Sequence, residues 1–128
     1  MPGFDKKKVL IADDDSILRE LLKGILRTAG HIVVGEASNG EQAIAMVEKT
    51  SPDVLCLDIH MPKMDGMQCL EALKASMPQL TIIMISGEAT LPVVQEALSK
   101  GAGGFIVKPF NAAKVLDTIQ RVCAKQVA

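Results

Sequence analysis

The chain has 128 residues, 48% of them hydrophobic and 23% charged, which fits a single compact domain over residues 1–128 and leaves no room for a separate output domain. Its 14 basic and 15 acidic residues give a net charge of −1, which offers no footprint for nucleic acid or an anionic membrane. Cys56, Cys69 and Cys123 lack metal-ligand spacing, no apolar run can span a bilayer and no signal segment opens the chain, so a soluble protein of the reducing cytoplasm is expected.

Short apolar runs alternate with longer amphipathic stretches. Residues 8–12, KVLIA, read as a first strand; residues 16–28 then carry Ile17, Leu18, Leu21, Leu22, Ile25 and Leu26 at helical spacing and stop at Gly30. The pattern repeats, with strands predicted over 31–37, 53–57, 80–85 and 104–107 and helices over 40–49, 67–75, 91–100 and 112–123. Five apolar strands separated by helices imply an α/β fold in which a parallel sheet is covered on both faces, a doubly wound domain. Right-handed crossovers leave few topologies, and strand order 2-1-3-4-5 is a common one.

Such sheets bind ligands beyond the carboxyl ends of their strands, where the strand order reverses. The residues at those ends are Asp13-Asp14-Asp15 after strand one, Asp58 after strand three, Ser86-Gly87-Glu88 after strand four and Lys108-Pro109-Phe110 after strand five. Strands one and three flank the reversal, so their carboxylates should converge and require a cation. An all-oxygen donor set without a His/Cys cluster favours Mg²⁺ over Zn²⁺, held by two carboxylates, a backbone carbonyl past Asp58 and water. Lys108 would add an ammonium and Ser86 a hydroxyl, which together make a site for a phosphoryl group with a carboxylate as nucleophile.

The segments VLIADDDSILRELL, LDIHMPKMDG, ISGEA and GAGGFIVKPF, in that order and at those separations, resemble the receiver domain of two-component response regulators over almost the whole chain, and most of all a stand-alone CheY-like protein. That family is itself an example of the 2-1-3-4-5 order, so the two expectations about topology are not independent. The resemblance implies that Asp58 is the phosphoacceptor, that Asp14 contacts Mg²⁺ (or Mn²⁺) directly and Asp13 mainly through water, and that the His60 backbone carbonyl is a further metal ligand. It implies catalytic roles for Lys108 and Ser86, a cis Lys108-Pro109 bond, a phosphoryl path left open by Gly87, and a switch pair in Ser86 and Phe105. The side chains of His60 and Glu88 would stand at the pocket rim and tune autodephosphorylation.

By the same resemblance the protein is not a conventional enzyme but catalyses its own phosphorylation and dephosphorylation. The donor would be a sensor histidine kinase or a histidine phosphotransfer protein. The output would be a downstream protein target met by the surface of helix four, strand five and helix five, in chemotaxis or a phosphorelay. The protein would be a monomer or a weak, phosphorylation-dependent dimer. Phe105 departs from the Tyr often found at the switch position, so its partner contacts must be apolar.

Plainer uses exist for several of these residues. Three acids before a helix are ordinary N-capping, a use that suits Asp15 best. His31 reads as a turn residue at the end opposite the site, Met61, Met64 and Met67 as loop packing, and Cys56 as an inert small hydrophobe. A flavin-binding relative of the fold would place phosphate at the first strand-to-helix turn, where these acids would repel it. A Mg²⁺-dependent phosphatase of the haloacid-dehalogenase type would use Asp13-x-Asp15 with Asp13 as nucleophile, but leaves Asp58 without a role.

Overall fold

The computed structural model describes residues 6–124. Elements alternate without exception: β1 (Lys8–Ala12), α1 (Ser16–Thr28), β2 (Ile32–Ala37), α2 (Gly40–Thr50), β3 (Val54–Asp58), α3 (Gly66–Ser76), β4 (Thr81–Ser86), α4 (Leu91–Ser99), β5 (Gly104–Val107) and α5 (Ala112–Ala124). All strand pairs are parallel and the order is β2-β1-β3-β4-β5, the doubly wound topology expected from the alternation of apolar runs and amphipathic stretches. No described helix is long and apolar enough to cross a membrane.

The two faces of the sheet are sorted by the two-residue period of its strands. Leu10, Leu55, Leu57 and Met84 pack with Val47, Leu70, Leu73 and Ala97 under α2, α3 and α4. Val9, Ile11, Cys56, Ile83 and Ile85 pack with Leu22, Leu26, Val115 and Ile119 under α1 and α5. Strands β3 and β4 are therefore buried along their whole length, which is why they read as continuous apolar runs. Met61 is buried, and Met64 and Met67 pack partly buried against the first of these clusters.

Local chemistry sets the element boundaries. The Asp15 carboxylate accepts the Ile17 and Leu18 amides and starts α1; Gly30, at φ 93°, takes the left-handed backbone that ends it. A reciprocal cap between Asp65 and Gln68 starts α3 at Gly66, one residue before the predicted position. Strands β3 and β4 each run one residue later than predicted, because the ladder is a backbone feature that continues past the last apolar side chain. Asp58 pairs with Ile85 and Ser86 with Val107 inside the sheet, while Asp53 stands before β3 and accepts the Lys8 amide at 2.8 Å. β2 begins at Ile32 rather than at residue 31. The His31 amide closes the last turn of α1 on Leu26, and its ring is buried, with Nδ1 accepting the Lys7 amide at 3.1 Å. Burial, with a lesser contribution from the Lys7 charge, pushes the His31 pKa down.

Candidate functional site

The carboxyl ends of the parallel strands bring together the acids that the sequence separates. Asp13 follows β1 directly and Asp58 is the last residue of β3, and both are about 95% buried, at 5% and 4% exposure. Asp14, exposed beside them, completes a cluster in which one carboxylate oxygen from each residue lies within 4.8 Å of the others. Lys108, just past β5, reaches back so that its Nζ lies 3.2 Å from Asp13 Oδ2 and 3.4 Å from Asp58 Oδ1. Its amide donates to the Ser86 carbonyl at 2.9 Å, and the Lys108-Pro109 bond is cis.

The electrostatics follow from this crowding. Burial, followed by the neighbouring Asp13 charge, raises the Asp58 pKa, against the opposing pull of Lys108 and a backbone hydrogen bond from His60. Burial alone would lower the Lys108 pKa, but the attraction of Asp58 and Asp13 outweighs it and leaves the ammonium's pKa raised. One ammonium thus faces two buried carboxylates, with the exposed Asp14 carboxylate beside them. Hard oxygen donors of this kind, with a surplus of negative charge, suit Mg²⁺.

Asp13 is the most constrained of the group. Its amide donates to the Ala37 carbonyl of β2 at 3.0 Å, and its Oδ1 accepts the Asp15 amide at 2.9 Å. The Asp15 side chain is spent on the α1 cap and takes no part in the cluster of acids. A methyl group at Gly66 would collide with the Asp58 carbonyl, and the Gly66 amide donates to the Ile59 carbonyl at 2.7 Å. Glycine at this point allows α3 to start directly beneath the acid-bearing strand end.

The remaining predicted residues are placed as follows. Ser86 is fully buried at the end of β4, and its Oγ accepts the Glu88 amide at 2.9 Å. A Cβ at Gly87 would meet nothing within 4 Å, so the backbone leaves open space there. Phe105 lies opposite Met84 in the β4–β5 pairing and packs partly buried against the cluster that includes Ala97 and Val93. His60 Nε2 lies 2.7 Å from Glu88 Oε1, and this exposed contact joins the loops that follow β3 and β4. Cys56 is fully buried, and its thiol pKa is pushed up to about 12 by that burial.

One contact was not anticipated. Arg19 donates from Nη1 to the Asp13 carbonyl oxygen at 2.6 Å and from Nε to Glu36 Oε1 at 2.9 Å. The periodicity of α1 draws attention to its apolar stripe and away from this residue. A cation in the first turns of a helix opposes the helix dipole, and that was the available signal that Arg19 serves a specific partner.

The description "Response regulator receiver domain" belongs to a family model that matches residues 9–120. Chemotaxis protein CheY of Bacillus subtilis is 42% identical over 114 residues, covering 89% of this chain and 95% of the relative. Chemotaxis protein CheY of Listeria monocytogenes is 40% identical over 114 residues, covering 89% and 96%. A chain in the crystal structure of the CheX-CheY-BeF3-Mg complex from Borrelia burgdorferi superposes with a TM-score of 0.89 at 36% identity, covering 91% of this chain and 88% of that one. With this fold, this acid cluster and relatives of matching length, the chain belongs to the response regulator receiver family and is CheY-like.

Proposed function

We propose that this protein is a phosphorylation-driven switch of a two-component pathway that takes a phosphoryl group onto Asp58. The observation that carries the reading is the Lys108 ammonium lying between the buried carboxylates of Asp13 and Asp58 at the carboxyl ends of the strands. Bound by Asp13, Asp14, Asp58 and the His60 carbonyl, Mg²⁺ would supply charge neutralisation for the incoming phosphoryl oxygens. Lys108 supplies the protein's own share of that neutralisation and turns toward the phosphoryl group as it arrives.

The donor is a phosphohistidine on a kinase or a phosphotransfer protein. An Asp58 carboxylate oxygen forms a P–O bond as the donor's P–N bond breaks. The electron pair of the broken bond stays on the imidazole nitrogen, which is protonated as it leaves. Asp58 then carries an acyl phosphate with added charge and acceptor oxygens. The Ser86 hydroxyl, which now accepts the Glu88 amide, is drawn to donate to those oxygens, and Phe105 on the neighbouring strand shifts with it.

The output surface is that of α4, β5 and α5, where Leu91, Leu98 and Val107 are exposed apolar side chains. Relatives named chemotaxis protein CheY, and the CheX–CheY complex, favour a protein partner in cytoplasmic chemotaxis signalling over a nucleic acid. An Asp13 phosphatase is disfavoured because its Asp15 would have to leave the α1 cap.

The test is intact mass after incubation with phosphoramidate, with and without Mg²⁺. Wild type gains one phosphoryl group only with Mg²⁺, and D58N gains none. An adduct that survives D58N and maps to Asp13 would sink the proposal in favour of the phosphatase.

A further inference from the structure

Resting on the receiver reading of the acid pair, we propose that Arg19 is a positioning residue for the metal site, fixing the peptide unit that joins Asp13 to Asp14 and so setting the affinity for Mg²⁺. The carbonyl of that unit accepts from Arg19 Nη1 at 2.6 Å. On the other side of Asp13, the amide is tied to Ala37 in β2. With both ends of the Asp13 backbone anchored, the direction in which the chain leaves toward Asp14 is set, and with it the angle between the two carboxylates.

Arg19 is itself held. Its Nε donates to Glu36 Oε1 at 2.9 Å, and Glu36 Oε2 lies 2.8 Å from Lys23 Nζ. Glu36 is the residue before Ala37, so one short segment of β2 holds the Asp13 amide directly and the Asp13 carbonyl through Arg19. The Arg19 side chain is mostly buried, at 18% exposure, which separates it from the solvated ion pairs of a helix surface. The rigid guanidinium fork meets a carbonyl and a carboxylate at once; an ammonium offers no such planar pair of donors.

Positioning and charge predict opposite signs. Arg19 is a cation near a cation site, so through Coulomb repulsion alone its removal would tighten Mg²⁺ binding. Through positioning, its removal weakens binding, since partners outside the ligand sphere that orient metal ligands are worth about tenfold or more in affinity.

The experiment is a titration of ¹⁵N-labelled protein with MgCl₂, following the Asp14 amide and those around Asp58, for wild type, R19M, R19K and E36Q, with urea midpoints for each. R19M and R19K should each weaken Mg²⁺ by about tenfold. E36Q keeps an acceptor for Nε and should stay near wild type. R19K keeps the charge and tests the inference even if R19M does not fold. Affinity in R19K equal to wild type, or tighter binding in R19M, would each overturn the positioning role. A wild type that shows no response to MgCl₂ would instead overturn the receiver reading beneath it.

Discussion

The ammonium of Lys108 stands 3.4 Å from the carboxylate of Asp58, and the two are brought together from strands separated by β4. Replacing Lys108 by Met leaves two buried acids facing each other without a cation. The expected cost is about 2 kcal/mol at pH 7, below that of a fully buried pair because the lysine is partly exposed. Urea unfolding measures it, and millimolar Mg²⁺ should restore part of the loss. Phosphorylation by phosphoramidate should slow by about a hundredfold or more, since the cation acts on charge that develops during transfer.

The raised pKa of Asp58 makes stability depend on pH. The folded state holds the Asp58 proton more tightly than the unfolded chain does, so ionisation costs stability. That cost appears as pH rises from the ordinary aspartate value of about 3.9 through the raised folded value, and is complete above it. Without Mg²⁺, D58N is therefore expected to be more stable than wild type at pH 7, with the difference closing as pH falls toward 3.9. Urea midpoints across that range check the sign. At Mg²⁺ concentrations ten times its Kd, wild type alone should gain about 1.4 kcal/mol.

His60 Nε2 lies 2.7 Å from Glu88 Oε1 and so joins the loops after β3 and β4. Both side chains are exposed, so the pair contributes less than about 1 kcal/mol. E88A should leave the urea midpoint near wild type. It should speed phosphorylation by a small donor, by no more than about fivefold, which is what 1 kcal/mol allows. A large stability loss in E88A would show that the contact supports the fold and is not a gate at the rim.

Gly66→Ala should cost about 1–3 kcal/mol, because the added methyl meets the Asp58 carbonyl and backbone must shift to admit it. Since that carbonyl belongs to Asp58, the proposed phosphoacceptor, the phosphorylation rate should fall as well. The control is Gly24→Ala on α1, where a Cβ meets nothing within 4 Å, and which should be neutral or slightly stabilising.

Much of this was legible in the chain, for identifiable reasons. The topology followed from β3 and β4, whose apolar runs are what strands buried on both faces require. The convergence of Asp13, Asp14, Asp58 and Lys108 followed from the rule that such sheets place ligands at their strand ends. The ends of β1, β2 and β5 fall where expected, whereas β3 and β4 each end one residue later, because Asp58 and Ser86 are polar side chains on backbone that still pairs. The burial of His31 escaped a reading by turn chemistry, since the space that receives its ring is formed by the packing of separate elements. Arg19 was missed because one of its two partners is a backbone carbonyl, whose direction no sequence pattern records, so that only its place against the helix dipole marked it.

The place of Asp58 inside β3, as its last residue, bears on how the molecule can move. Asp58 is part of a central strand enclosed on both faces and paired on both sides, whereas β5 and β2 form the margins of the sheet. Amide exchange should accordingly be slowest through Leu55, Cys56 and Leu57, and openings that loosen the margin at β5 should proceed with the centre intact. The residue that receives the signal would then be the stationary part, and the surface that announces it would be the part that yields.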